Sequence, residues 1–285
     1  MKFPFEVELD RMTVKKLVRD ALREDLGTGD VTTDSTVKAG SRTDAGLRLK
    51  EPAVIAGLEV FETVFTTHDP GVKVAWSVKE GRALKPGKLL ARVKGRTRSI
   101  LTCERVALNL LQRMSGIATV TRRFADQVRG TGVKVIDTRK TTPGLRMIEK
   151  YAVRVGGGLN HRPRLSDLAL IKDNHIEAAG GIRQAVRRVR QRRTGVPVEL
   201  EVGPGVDLDE LSGLDIDIVM LDNWPLRRLP RAIRTVRKLE SRPLVEISGG
   251  IKLETVRKIA MCGPDFISVG YLTHSAQAID ISLDF

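Results

Sequence analysis

From residue 133 onward the chain repeats one pattern: a short apolar run, a few polar residues, then an amphipathic stretch. The runs fall at 133–136, 168–171, 196–200, 216–221, 244–247 and 266–269, and they are nearly continuous and rich in β-branched residues. That is the pattern of parallel strands covered on both faces. Between them, apolar positions near helical spacing predict helices over 145–153, 182–193, 226–240 and 253–262. Strand and helix alternating at this spacing predict an α/β fold, either a parallel barrel or an open sheet.

The front of the chain reads differently. Residues 12–24 predict an amphipathic helix and 24–33 a turn. Gly81, Pro86, Gly87 and Gly95 then punctuate short strand-like segments between residues 45 and 93. This predicts an α+β domain with its own small core. It is similar to the half-barrels of lipoyl and biotinyl carriers, but it lacks their modifiable lysine in a hairpin motif. A helix over 100–114 joins the two parts, apolar except for a stripe of Arg105, Asn109 and Gln112. An arginine on an otherwise buried helix needs a partner, either an internal carboxylate or an anionic ligand.

Composition narrows the function classes. The chain has 285 residues, 41% of them hydrophobic, enough for two domains with real cores. The segment Met1-Lys2-Phe3-Pro4-Phe5-Glu6 has no apolar stretch of a secretory signal, and no run approaches a membrane span, so a soluble, cytoplasmic protein with no membrane partner is expected. Cys103 and Cys262 have no cysteine or histidine neighbours at metal-site spacing and read as small hydrophobes in a reducing compartment. The formal net charge is +14. Much of the excess lies at 183–193 and 227–238, where apolar residues at helical spacing make each segment an amphipathic helix with a basic outer face. With only 4% aromatics to stack on bases, nucleic acid is not the expected partner.

The ends of the apolar runs carry the chemistry. They lead successively into Asp137-Thr138-Arg139-Lys140, Lys172-Asp173-Asn174-His175, Glu201, Asp222-Asn223, Ser248-Gly249-Gly250 and Gly270. Charged and glycine residues at the carboxyl ends of successive strands are where α/β barrels gather active sites. Arg105, Arg139, Arg162, Lys140 and Lys172, with His161, could supply a cationic pocket for carboxylate or phosphate oxygens. Glu201 and Asp222 suit a magnesium ion bridging phosphates, and the Ser248-Gly249-Gly250 turn with Gly270 offers backbone N–H groups to a phosphate. Such a set points to a multiply anionic substrate meeting a phosphorylated one.

Those residues lie in segments that together resemble the quinolinate phosphoribosyltransferases, the nicotinate-nucleotide pyrophosphorylases. The resemblance rests on 24–33, Glu104-Arg105 through Ser115-Gly116-Ile117-Ala118-Thr119, and Asp137-Thr138-Arg139-Lys140-Thr141-Thr142-Pro143-Gly144. It continues through Lys150-Tyr151-Ala152-Val153-Arg154, Gly156-Gly157-Gly158-Leu159-Asn160-His161-Arg162 and Leu170-Ile171-Lys172-Asp173-Asn174-His175. Glu199-Leu200-Glu201, Leu221-Asp222-Asn223, Glu246-Ile247-Ser248-Gly249-Gly250-Ile251 and the tail Leu272-Thr273-His274-Ser275 complete it, nearly end to end.

The resemblance implies an N-terminal α+β domain of open-sandwich type over 1–115, an incomplete parallel α/β barrel over 116–272, and a tail over 273–285 returning towards the N-terminal domain. It implies transfer of the phosphoribosyl group of phosphoribosyl pyrophosphate to quinolinate with decarboxylation. Arg105, Thr138, Arg139, His161, Arg162 and Lys172 would hold quinolinate. Lys140, Glu201, Asp222, Ser248, Gly249, Gly250, Val269, Gly270 and Tyr271 would hold phosphoribosyl pyrophosphate, with Mg2+ on Glu201 and Asp222. A homodimer or larger assembly is implied, with Arg105 entering the neighbouring subunit's pocket. Nicotinate phosphoribosyltransferase is the nearest alternative, but a monocarboxylate needs fewer cations than this chain gathers. The resemblance departs mildly at Leu200, where a smaller aliphatic is expected, and in the basic region around Arg164.

Overall fold

The computed structural model describes residues 3–193 and 195–285. In chain order, helices α1 (Arg11–Leu26) and α2 (Val31–Thr36) precede β1 (Arg42–Leu49) and β2 (Ala53–Val54). Then come α3 (Leu58–His68), β3 (Lys73–Trp76), β4 (Ala83–Leu84), β5 (Leu89–Arg96) and the long α4 (Thr97–Gln127). β6 (Lys134–Ile136), α5 (Arg146–Val155), β7 (Ala169–Ile171), α6 (Asp173–Ala179), α7 (Ile182–Arg192) and β8 (Val198–Val202) follow. The chain closes with β9 (Ile218–Asp222), α8 (Leu229–Arg237), β10 (Leu244–Ser248), α9 (Leu253–Ala260), β11 (Phe266–Ser268), α10 (Tyr271–His274) and β12 (Ile281–Asp284). Among the described residues no helix is long and apolar enough to cross a membrane.

The chain divides into two compact units. One comprises residues 7–122, 141–157 and 273–285. Its four-stranded sheet has the order β12-β1-β5-β3, antiparallel throughout, beside the short β2–β4 pair. α1 places Val14, Val18 and Leu22 on one buried stripe at a spacing of four, and the Asp10 carboxylate caps it by accepting the Thr13 N–H. Two expectations need correction here. The predicted turn over 24–33 includes the start of a helix: Asp30 accepts the Thr33 N–H at 2.9 Å and so nucleates α2. Residues 58–68, within the stretch read as strand-like, form α3, which buries Val60, Phe61, Val64 and Phe65. β-Branched and aromatic residues favour strands in isolation, but their i, i+1, i+4, i+5 spacing fits one helical face and packing decided the outcome.

In the same unit, Gln112 donates to the Ile281 carbonyl at 2.8 Å and Arg113 to the Ala276 carbonyl at 2.8 Å, tying the tail to α4. Gly116 makes this possible, since a Cβ there would stand 1.9 Å from the Gln277 carbonyl oxygen. The expected polar stripe is also revised. Arg105 and Asn109 are exposed, so Arg105 needs no internal partner. The arginine that is drawn into this unit is Arg113, whose guanidinium meets the fully buried Glu149 on α5 at 2.9 Å.

The other unit comprises residues 1–6, 123–140 and 158–272. Its six strands pair in the order β6-β11-β10-β9-β8-β7, all parallel. On the far side of β6, Leu159 bridges to Ile136 and Asn160 to Phe5. Side chains from the carboxyl ends of all six strands, the edge strands β6 and β7 included, line one cavity, so the sheet curls into most of a barrel. The basic helices behave as their spacing predicts. α7 buries Ala185 and Val186, and α8 buries Leu229, Ala232, Ile233 and Val236, leaving the arginines mainly outward.

Candidate active site

Alternation along the strands decides which side chains build the site. On β8, Val198, Leu200 and Val202 share one face, so Glu199 and Glu201 share the other. The same parity puts Met220 and Asp222 together on β9, and Glu246 and Ser248 on β10. Register aligns Ser248 with Asp222 and Glu201 with Met220. Lys172, Glu201, Asp222 and Ser248 stand at the strand ends, and Leu170, Glu199, Met220 and Glu246 lie two residues before them on the same strands. Most of these line a cavity of about 510 Å³ whose wall also includes Thr138, Arg139, Lys140, His161 and Arg162.

Each functional side chain has an identifiable support. Asp137, fully buried at the end of β6, accepts the Asn160 side-chain N–H at 2.7 Å and the His161 backbone N–H at 2.9 Å. This fixes the segment that carries His161 and Arg162. Arg162, only 6% exposed, donates through Nη1 to the Leu168 carbonyl at 2.7 Å. Burial, and then the nearby Arg139 charge, pull its pKa below the ordinary arginine value. Two guanidinium groups held this close, with one buried, favour an anion between them.

Elsewhere on the cavity wall the Lys172 ammonium touches the Glu201 carboxylate. Asn223 donates to Asp222 Oδ2 at 2.6 Å and adopts a left-handed backbone, φ 56°. Its backbone N–H also donates to the Ser248 carbonyl at 3.0 Å, which brings the β9 end against the Ser248-Gly249 turn. Gly249 has φ 91°, and a Cβ there would lie 2.2 Å from Asn223 Oδ1. Only glycine fits, because the turn needs both positive φ and this close approach. The open backbone beside Ser248 and Gly250 is suited to a phosphate. Glu201 and Asp222 present hard oxygen donors on adjacent strands, a set that fits Mg2+ better than a softer metal.

Beneath these groups lies a feature that sequence reasoning missed. Glu199 and Glu246 are fully buried, and His161 is 4% exposed. His161 Nε2 lies 2.8 Å from Glu199 Oε2 and 3.7 Å from Glu246 Oε2. Among the described residues none of the four carboxylate oxygens receives a well-aligned hydrogen bond. Burial pushes both carboxyls up to about 8, with the charge of Glu199 adding to the shift of Glu246. The spacing of the three groups would allow a metal ion. The histidine tautomer argues against one: Nδ1 accepts the Arg162 backbone N–H at 2.7 Å, so the ring proton resides on Nε2, the atom a metal would require. The available signal was parity, since Glu199 stands two residues before Glu201 and Glu246 two before Ser248.

Of the expected site residues, Thr138, Arg139, Lys140, His161, Arg162, Lys172, Glu201, Asp222, Ser248, Gly249 and Gly250 line the cavity. His161 lines it with Nδ1 accepting the Arg162 N–H and Nε2 2.8 Å from Glu199 Oε2. Val269, Gly270 and Tyr271 follow β11 outside the lining, with Val269 buried and Tyr271 47% exposed. Arg105 does not line it either. A second cavity of about 460 Å³ lies in the same unit beside Trp224, with Arg228 stacked 4.9 Å over the indole, but its arginines are exposed.

Comparison with known proteins places this architecture. Residues 30–115 match the N-terminal domain of quinolinate phosphoribosyl transferase and residues 117–284 its C-terminal domain. The nicotinate-nucleotide pyrophosphorylase (carboxylating) of Mycobacterium leprae is 44% identical over 94% of this chain and 95% of its own length. A probable nicotinate-nucleotide pyrophosphorylase (carboxylating) of Bacillus subtilis is 40% identical over 97% and 94%. The crystal structure of NadC from Streptococcus pyogenes matches with a TM-score of 0.92 at 40% identity over 98% of each chain. With both domain models matched along nearly its whole length, the chain belongs to the quinolinate phosphoribosyltransferase family.

Proposed function

We propose that this protein transfers the phosphoribosyl group of phosphoribosyl pyrophosphate to quinolinate with decarboxylation, yielding nicotinate mononucleotide, carbon dioxide and pyrophosphate. The observation that carries this reading is the single cavity where Arg139, Lys140, Arg162 and Lys172 converge on Glu201, Asp222 and the Ser248-Gly249-Gly250 turn. A dicarboxylate paired with a polyphosphorylated sugar accounts for that many cations beside two acids; a monocarboxylate such as nicotinate does not.

In this reading Arg139 and Arg162 bind the two carboxylates and hold the pyridine nitrogen in line with the anomeric carbon. The turn at Ser248 holds the 5-phosphate, and Lys140 offsets charge on the departing pyrophosphate. Glu201 and Asp222 would hold Mg2+, which neutralises phosphate charge when bound. Asn223 keeps the Asp222 carboxylate oriented for that task. The C–O bond to pyrophosphate breaks as the C–N bond forms. The cationic ring nitrogen stabilises the electron pair that stays on the adjacent ring carbon when its carboxylate departs as carbon dioxide, and that pair then takes up a proton. No protein nucleophile is needed.

A homodimer or larger assembly is part of the same reading, with Arg105, exposed on α4, supplied to a neighbouring subunit's cavity. A cytoplasmic location also belongs to it. The test is product chromatography after mixing protein with phosphoribosyl pyrophosphate, magnesium and either quinolinate or nicotinate. Mononucleotide from quinolinate alone is expected; mononucleotide from nicotinate would move the assignment to the alternative enzyme.

A further inference from the structure

The basic helices of the parallel-sheet unit carry two kinds of arginine. Some are paired: Arg190 meets Asp215 at 2.9 Å and Asp217 at 2.8 Å, and Arg237 meets Asp265 at 2.9 Å. Arg227, Arg228, Arg231 and Arg234 are exposed, and among the described residues none of them forms an ion pair with a carboxylate. An outward arginine is ordinarily no more than a solvated charge. These line a concave surface instead. Arg227, Arg228 and Arg231 line the cavity of about 460 Å³ beside Trp224, and Arg231 and Arg234 line a neighbouring one of about 620 Å³. The two share Asp209, Arg231 and Thr235, so they form one groove between α8 and the short turn Leu208–Leu211.

Trp224 gives the groove a fixed end. Its indole N–H donates to the Val202 carbonyl at 2.9 Å, and the Arg228 guanidinium stacks 4.9 Å from the ring centroid. A nucleobase stacks on a guanidinium plane as it does on an aromatic ring, so a base continues this stack. Arg231 follows Arg227 by four residues and Arg228 by three, one helical turn further along, placed for phosphate oxygens. On the facing wall Asp207 accepts the Asp209 N–H at 3.1 Å and is committed to the turn. Asp209 keeps an exposed carboxylate, an acceptor for the hydroxyls of a sugar. Base, sugar and phosphate each meet a group of matching chemistry, in a volume ordinary for a small-molecule site.

We propose that this groove binds a nucleoside polyphosphate, with the base on the Trp224–Arg228 stack and the phosphates on Arg227 and Arg231. The bound nucleotide weakens the hold of the main cavity on phosphoribosyl pyrophosphate. The connection is short. Trp224 stands two residues after Asp222, a span of at most about 7 Å, and its acceptor Val202 directly follows Glu201. The ends of β8 and β9 therefore carry both the proposed magnesium donors and one end of the groove. Phosphates against Trp224 put negative charge close to where a second polyanion must enter, and like charges so near disfavour joint occupation.

The site rests on no step of the reaction; only its effect on phosphoribosyl pyrophosphate rests on the proposed function. The chain has two tryptophans, so a Trp76→Phe background leaves Trp224 as the emitter, and calorimetry on the wild type supplies the same constants without it. Adenosine triphosphate is titrated at fixed free magnesium, beside tripolyphosphate and adenosine. It is expected to quench Trp224 saturably and to bind at least about ten-fold tighter than either fragment. Arg231→Gln should weaken it about ten-fold, whereas Lys140→Ala, which alters the main cavity, should not. In the wild type, saturating nucleotide should raise KM for phosphoribosyl pyrophosphate about three-fold, with kcat and KM for quinolinate nearly unchanged. Arg231→Gln should lose that response.

Tripolyphosphate binding as tightly as the nucleotide would overturn the proposal in favour of an unspecific basic surface. Binding lost in Lys140→Ala and kept in Arg231→Gln would move the nucleotide to the main cavity. No binding at all would remove the site, and binding that leaves KM unmoved would refute the coupling. A protein that binds nucleotide but makes no mononucleotide would instead remove the proposed function and leave the site standing.

Discussion

Glu149, in the unit with the antiparallel sheet, and Glu199 and Glu246, in the parallel-sheet unit, are all fully buried, but their surroundings differ. Glu149 receives Arg113 through Nε at 3.1 Å and Nη2 at 2.9 Å, and the Thr142 N–H at 3.1 Å. Its charge is paired and its oxygens are satisfied, as a buried carboxylate requires. Glu199 and Glu246 share one histidine and lie against each other, and burial has raised both toward the neutral form. The first arrangement stabilises a fold. The second gives up stability beneath a cationic cavity, as functional sites commonly do.

Four substitutions sharpen or break this contrast. The largest effect is expected for Arg139→Ala, which removes a guanidinium from the cavity without touching either buried acid. Two charge-assisted hydrogen bonds at about 1.5–3 kcal/mol each predict a loss near 10³-fold in kcat/KM for quinolinate. The Tm should stay within a degree or two, and steady-state kinetics with thermal unfolding check both halves. Arg113→Met should do the reverse: leaving Glu149 buried without its partner costs about 3–5 kcal/mol. Chemical denaturation should show that loss, while quinolinate affinity per folded molecule stays unchanged.

Gly249→Ala comes next. The added methyl meets Asn223 at a distance no real contact tolerates, and the backbone conformation there is left-handed. The β9–β10 turns must shift, so affinity for phosphoribosyl pyrophosphate should fall ten-fold or more while that for quinolinate changes little; competition binding separates the two. Glu246→Gln should give the smallest change and an informative sign. In the folded chain this carboxyl titrates near 8, against 4.5 for an ordinary glutamate. Between those values the folded state keeps a proton that the unfolded chain has lost, so its contribution to stability falls as pH rises through that window. The variant should therefore show a flatter decline in Tm from about pH 5 to pH 8 and a slightly higher Tm at the alkaline end. A decline as steep as that of the wild type would mean the acid is not held neutral.

The contrast also explains what the sequence disclosed. The strand-end layer was legible because Arg139, Lys172, Glu201 and Asp222 interrupt or end apolar runs, and an apolar run marks a buried parallel strand. Glu199 and Glu246 sit inside such runs, where a single acid does not disturb the average, so their burial was not anticipated. Tertiary packing likewise decided α3, whose Val60, Phe61, Val64 and Phe65 carry strand-favouring side chains at helical spacing. The arginine reading failed for a related reason. Arg105 and Arg113 lie on the same helix, and only the location of Glu149, on an element 36 residues further along the chain from Arg113, determines which is drawn inward. Local pattern carries no information about that meeting.

The central claim is that this cavity decarboxylates quinolinate during phosphoribosyl transfer. The most direct measurement is release of labelled carbon dioxide from quinolinate carrying the label in the carboxyl beside the ring nitrogen, with mononucleotide quantified in parallel. One carbon dioxide per mononucleotide, dependent on phosphoribosyl pyrophosphate and lost in Arg139→Ala, is the predicted result. Mononucleotide formed without released label, or no product from a folded protein, would contradict it.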